Sequence, residues 1–216
     1  MKIYDEIYNS PNFGYPRGTT GRRGQEIIGI GVHIGGATFQ SNYNHIMNAN
    51  ALASYNAYVK LDGTVVQFVA EENPAWSHGK IVKPSWPLLK SGVNPNLYTL
   101  SISREGSNQN TWTPEQMKST VKVIKCWGEK YNIPLKRPYI FGHFEIDSVG
   151  RWYCPGKPFF DALIVELQKE EEKPPVSNTW YRVIVGSYRD KENADMMVRK
   201  LSGMGFRGVF VDVKKD

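Results

Sequence analysis

The sequence predicts an α/β fold with a small β-α-β unit at its C-terminal end. Two observations carry this. Short β-branched runs such as Ile27-Ile28-Gly29-Ile30-Gly31-Val32-His33-Ile34 alternate with longer segments of helical apolar spacing. A stretch of charge, Pro-Pro and small polar residues over 169–178 then sets the last part of the chain apart. The expected organisation is a main domain over 1–168, a linker over 169–179 and a terminal unit over 180–216.

Taken in order, residues 9–24 are dense in Gly and Pro and read as loop, either lining a groove with their aromatic and Arg side chains or simply covering the surface. Residues 27–34 read as a buried strand with His33 at its end, opening into Gly35-Gly36. A short helix is expected within 41–53. The runs Ala57-Tyr58-Val59-Lys60-Leu61 and Thr64-Val65-Val66-Gln67-Phe68-Val69 flank Asp62-Gly63, a hairpin signal. Residues 71–96 hold four prolines with Trp76, His78 and Trp86, and read as one long, functional loop. Leu97-Tyr98-Thr99-Leu100-Ser101-Ile102-Ser103 alternates like a strand. Thr113-Pro114-Glu115-Gln116 opens a helix, with Thr113 as N-cap, Pro114 at the first position and Gln116 at the third. That helix runs to about Tyr131, with Met117, Val121, Ile124 and Trp127 on one face. Tyr139-Ile140-Phe141 is a short strand delivering His143, and 158–168 is a further helix. In the terminal unit, 180–185 and 209–213 read as strands around a helix over 190–201, with Ala194, Met197, Val198 and Leu201 on one face.

The chain has 216 residues, 40% of them hydrophobic, enough for a packed core. A net charge of +6 and a pI near 9.2 point to a polyanionic partner: nucleic acid, a membrane surface or an acidic cell-wall polymer. Positive charge is densest in the terminal unit but dispersed, which argues against a dedicated nucleic-acid arm. Two cysteines, Cys126 and Cys154, are too few for a disulfide framework. The N-terminus has no apolar leader region and no run is long enough to span a membrane, so synthesis in the cytoplasm without a signal peptide is expected.

His33, His143 and Cys154 offer two imidazoles and a thiol. That donor set suits an open zinc site with three protein ligands. None of the familiar zinc spacings is present. Taken singly, each His is more often a hydrogen-bonded structural residue, and Cys154 a buried thiol. Cys126, in mid-helix, reads as packing, and His45 as surface.

Ordered motifs add to this. They are Val32-His33, Lys60-Leu61-Asp62-Gly63-Thr64, Ala75-Trp76, Thr99-Leu100-Ser101-Ile102 with Glu105-Gly106, Thr113-Pro114-Glu115-Gln116, Gly142-His143 and Cys154-Pro155-Gly156. Through them residues 25–160 resemble the zinc-dependent N-acetylmuramoyl-L-alanine amidases of the phage-lysozyme and peptidoglycan-recognition-protein superfamily, as found in endolysins and autolysins. The resemblance implies a mixed central β-sheet flanked by helices and a groove for bacterial peptidoglycan. It also implies hydrolysis of the amide between the MurNAc lactyl group and L-alanine, with Zn2+ on His33, His143 and Cys154. One position departs. Relatives carry a glutamate where this chain has Ser103, and a serine hydroxyl is no useful base near pH 7. Glu105 lies on the same strand face and would substitute only if the strand were bulged or shifted. Arg151 would steady the oxyanion, and Trp76 and His78 would contact substrate. The alternative is a catalytically impaired or non-catalytic peptidoglycan-binding protein. Such proteins typically lack the cysteine, and Cys154 is present.

Residues 180–206, through Trp180-Tyr181-Arg182-Val183-Ile184-Val185-Gly186-Ser187-Tyr188, Ala194, Leu201 and Gly205-Phe206, resemble a SPOR domain, which binds peptidoglycan glycan stripped of stem peptides. The family needs two strand-helix-strand units and this chain has one. A lone unit has little core and open strand edges, so two tails are expected to pair into a homodimer.

Overall fold

The computed structural model describes residues 3–108, 110–169, 186–206 and 211. The chain forms two compact units, Met1–Glu170 and Glu171–Asp216. In the first unit six strands make one sheet: β1 (Glu6–Ile7), β2 (Gly29–Ile34), β3 (Ala57–Val59), β4 (Val65–Gln67), β5 (Thr99–Arg104) and β6 (Ile140–Gly142). Their order is β1-β4-β3-β5-β2-β6, and only the β3/β4 pair is antiparallel. The helices are α1 (Phe39–Met47), α2 (Pro114–Tyr131) and α3 (Lys157–Gln168), with α4 (Lys191–Gly203) in the second unit. No helix among the described residues is long and apolar enough to cross a membrane.

The two central strands explain where the site lies. Along β2 and β5, Ile30, Val32, Leu100 and Ile102 point to one face. They join Val123, Ile124 and Trp127 of α2 and Phe159 and Leu163 of α3 in the main core. The alternate positions, Gly29, Gly31 and His33 on β2 and Thr99, Ser101 and Ser103 on β5, are small or polar, yet all are buried. In the parallel register His33 pairs with Ser103, which also pairs with Tyr58 of β3. A face of such small side chains leaves room for buried imidazoles. At Gly31 a Cβ would come within 2.6 Å of His78 Cε1.

Local signals act where expected, with corrections. Thr113 Oγ1 accepts from Gln116 N at 3.0 Å and α2 ends at Asn132 with φ 53°. The Gln116 side chain, however, donates to Val59 O and Glu105 O instead of reaching back to its cap. The hairpin turns over Lys60–Gly63 with Gly63 at φ +85°, closed by Lys60 N to Thr64 O at 3.0 Å. The helix expected within 41–53 is Phe39–Met47. It starts earlier because Thr38 caps it, accepting from Ser41 N, and it stops at Asn48, whose Oδ1 accepts from Asn50 N. Leu97 belongs to a 3-10 turn, Pro95–Leu97, before β5 begins. The short strand β1 carried no signal in the sequence.

The loop over 9–24 is anchored by Arg22, which is 7% exposed and donates to the carbonyls of Glu71, Asn73, Asn96, Leu97 and Thr99. In the second unit, Asp190 Oδ1 caps α4 by accepting from Glu192 N, and Ala194, Met197, Val198 and Leu201 are half-buried. The expected strand 180–185, all of 209–213 but residue 211, and nearly all of the linker 169–179 lie outside the described residues.

Candidate metal centre and active-site cleft

Three elements deliver three donor atoms. His33 stands at the C-terminal end of β2. His143 opens a 3-10 turn, His143–Glu145, directly after β6. Cys154 follows a turn in which its N–H donates to Arg151 O at 2.9 Å. His33 Nδ1 lies 3.1 Å from His143 Nδ1 and 4.0 Å from Cys154 Sγ, and the three donor atoms all fall within 4.8 Å of one another. Exposures are 0%, 5% and 4% for His33, His143 and Cys154. A buried cluster of two imidazoles and a thiol, this close together, is an arrangement that can hold a metal ion.

The surroundings fix each donor. Glu145 is buried, accepts from Gly142 N at 2.7 Å and pairs with both terminal nitrogens of Arg137, while its carbonyl takes Ser85 N and Trp86 N. This pins the turn that carries His143. His143 Nε2 donates to His78 O at 2.9 Å, so its Nδ1 is left as a lone pair. Ile34 N donates to Cys154 Sγ at 3.3 Å, Phe144 N to Cys154 O at 3.0 Å, and Arg104 Nη2 to Pro155 O at 3.1 Å.

The electrostatics favour neutral rings. Burial drives His143 down to about 4, and the His78 carbonyl only partly offsets this. Burial, then the neighbouring His143, His78 and Arg151, hold His33 well below the ordinary imidazole range. Burial pushes the Cys154 thiol up to about 12, against the Ile34 N–H, Arg151 and Arg104, which favour the thiolate. Both imidazoles are thus ready ligands near pH 7, and the thiol loses its proton to solvent only when a strong local cation stabilises the thiolate.

An open cleft of about 320 Å³ leads to the cluster, lined by His143 and Cys154 together with Tyr55, Trp76, Arg151 and Tyr153. Trp76 forms part of its wall, held by Nε1 to Gly14 O and N to Ser54 Oγ, both 2.9 Å, with Arg17 4.8 Å over its ring. Arg151 is exposed on the rim with Nη1 3.4 Å from Tyr153 Oη. Ser103 is fully buried beside His33, and its Oγ makes no hydrogen bond. One expectation is corrected. Glu105 does not serve the cluster, because its oxygens accept from Phe39 N at 2.7 Å and Leu61 N at 2.9 Å, tying α1 to the hairpin. His78 is only 1% exposed and does not line this cleft, but it lines a neighbouring pocket with Lys80, Asp147 and Arg151.

A sequence model described as N-acetylmuramoyl-L-alanine amidase matches residues 23–157, more than half of the chain. The chain belongs to the N-acetylmuramoyl-L-alanine amidase family. The match spans His33, His143 and Cys154, and the amidase is a peptidoglycan hydrolase. A second model, the SPOR domain, matches residues 166–212. Both parts imply binding to peptidoglycan and action at the cell wall. No curated protein matches the chain. Solved structures share the amidase's fold. The amidase LysC from Clostridium intestinale URNW is 20% identical, with 79% of this chain and 99% of that one covered at a TM-score of 0.51. A selenomethionine AmpD derivative is 19% identical, with 77% and 96% covered at 0.59. AmiD from E. coli, solved with anhydro-N-acetylmuramic acid-L-Ala-D-gamma-Glu-L-Lys, is 17% identical, with 69% and 59% covered at 0.54.

Two residues of the amidase cleft escaped the sequence reading. Tyr55 is half-buried with its ring 5.1 Å from that of His33, and its hydroxyl approaches Ser103 Oγ without closing a hydrogen bond. Burial first, then Cys154, keeps that hydroxyl protonated. Its only sequence signal is a place two residues ahead of the strand that leads to Asp62-Gly63. His45, read as surface, is exposed in the last turn of α1 and also lines the cleft. No carboxylate among the described residues lines it.

Proposed function

We propose that His33, His143 and Cys154 hold one zinc ion, and that this centre cleaves the amide joining the N-acetylmuramoyl group to L-alanine. The convergence of two neutral imidazole Nδ1 atoms and a thiol at the base of an open cleft carries the reading. The donor chemistry fits zinc, since nitrogen and sulfur ligands of this kind select it over magnesium or calcium. When bound, zinc supplies a Lewis acid for the scissile carbonyl and acidifies the attacking water.

The chain's own residues do the rest. Tyr55, kept as a phenol, donates a hydrogen bond to the carbonyl oxygen as negative charge builds there. Arg151 adds positive potential at the rim, and its field already reaches His33, His143 and Cys154. Trp76 gives the cleft an apolar wall for the muramoyl group. Ser103 takes no proton in this scheme. The intact donor set argues against a non-catalytic binding protein. The tail adds a second hold on the wall. Its sequence carries two strand-like runs about α4, so two chains complete one sheet between them. Light scattering of the full chain that returns only a monomer would remove this part.

Elemental analysis is expected to find one zinc per chain. Chelation should abolish release of new amino termini from purified cell walls, and added zinc should restore it. Release that survives complete chelation would overturn the zinc reading.

A further inference from the structure

The imidazole of His78 is buried, and nothing in the cleft chemistry above uses it. Its Nε2 lies 2.8 Å from Thr99 Oγ1. That hydroxyl donates its single proton to Pro95 O at 2.8 Å. It must therefore accept from His78, which carries its proton on Nε2. His78 Nδ1 is left as a lone pair, buried and without a hydrogen-bond partner. The main chain of the same residue already holds one ligand, since His143 Nε2 donates to His78 O.

His33 completes the pattern. The proton of His143 is on Nε2, so the 3.1 Å contact between the two Nδ1 atoms is a hydrogen bond only if His33 donates from Nδ1. His33 Nε2 is then a second buried lone pair without a partner, on a ring whose centre is 5.3 Å from that of His78 with planes 34° apart. Two buried acceptors on neighbouring rings are a polar mismatch. The mismatch ends when a cation takes the Nδ1 lone pair, because a neutral His33 must then carry its proton on Nε2. Two imidazoles joined edge to edge by one N–H···N bond have centres about 5 Å apart, close to the separation found.

We propose that His78 is the positioning residue for both histidine ligands, its carbonyl holding His143 and its Nδ1 accepting the Nε2–H of His33 when the cation is bound. Metal loading and the tautomer of His33 are then one event, and the relief of the mismatch adds to affinity. The inference rests on the metal reading above. Ser103 Oγ, in register with His33 and also unpartnered, is the competing acceptor.

Zinc competition titrations on the full chain test this. His78→Leu keeps the carbonyl and roughly the volume but removes Nδ1, and its affinity is expected to fall about 10- to 100-fold. His78→Asn, which keeps an acceptor near that position, is expected to stay within about threefold of wild type. Equal affinity in wild type and His78→Leu would overturn the proposal, as would a loss confined to Ser103→Ala. Nitrogen NMR of histidine-labelled wild type gives a second readout that does not depend on His78→Leu folding. Zinc loading is expected to move the His33 proton from Nδ1 to Nε2 and to shift His78 Nδ1 as it accepts. A proton found on His78 Nδ1 would also sink the idea. Wild type that takes up no zinc removes the metal reading itself, whereas zinc binding indifferent to position 78 removes only this inference.

Discussion

The carboxylate of Glu71 accepts from the Tyr4 hydroxyl at 2.5 Å, the Tyr131 hydroxyl at 2.8 Å and Lys130 Nζ at 2.7 Å, while Arg22 beside it spends its donors on five carbonyls. His33 is just as buried, yet its Nε2 has no partner, nor has Ser103 Oγ or His78 Nδ1. Both regions place polar groups inside the same unit. Around Glu71 the groups answer one another, so the network ties the N-terminus, the 71–96 loop and the end of α2 into one frame. Around His33 two imidazole nitrogens and a thiol converge within 4.8 Å of one another. The first region is satisfied within the chain and serves as scaffold, and the second is an arrangement that can hold a metal ion.

Substitutions should separate the two regions by what they change. Tyr55→Phe is expected to lower kcat about 10²- to 10³-fold, as for loss of one transition-state donor, with zinc content and unfolding midpoint unmoved. Turnover within threefold of wild type would deny the hydroxyl a role. Glu71→Gln should do the reverse. By leaving buried partners poorly satisfied it costs about 2–3 kcal/mol in urea unfolding, at unchanged turnover per folded molecule.

A third contrast is in pH. The folded-state values of His33 and His143 lie below the ordinary imidazole value, so the unfolded chain takes up protons first. In the metal-free chain the contribution of His143 is full above about pH 6.5 and is lost as pH falls toward 4, and that of His33 falls in the same direction. His143 should remove about 2 kcal/mol between pH 7 and 5, and His33 should add a loss of the same sign. Urea midpoints at the two pH values, compared with those of His143→Asn, would show this, and identical slopes would contradict it. The smallest effect belongs to Ser103→Ala. Its hydroxyl makes no hydrogen bond, so turnover is expected to stay within about threefold of wild type in a cell-wall release assay.

Much of the fold could be read along the chain, because its signals are local. Thr113 and Pro114 start α2, Asp62-Gly63 turns the hairpin, and β-branched runs make the strands. The donors His33, His143 and Cys154 stood out through ordered motifs spread over the chain. What their neighbours do was less legible. Gln116 stands where a capping box would use it, yet its amide spans Val59 O and Glu105 O. Glu105 shares a strand face with Ser103, yet its carboxylate belongs to Phe39 and Leu61. His78 looked like a groove residue and proved to be buried.

The sequence by itself determined the element types, their caps and turns, and the chemistry of the donor set, since these depend on a residue and its near neighbours. Only the tertiary structure decided which polar atoms meet. A sheet order that sets β2 between β5 and β6 brings His33 to His143 and Cys154. It also sets the His78 carbonyl against His143 and leaves Ser103 beside His33. A hydrogen-bond partner is chosen from whatever the fold carries within about 3 Å, and for these residues that choice came from strands and loops far away in the chain.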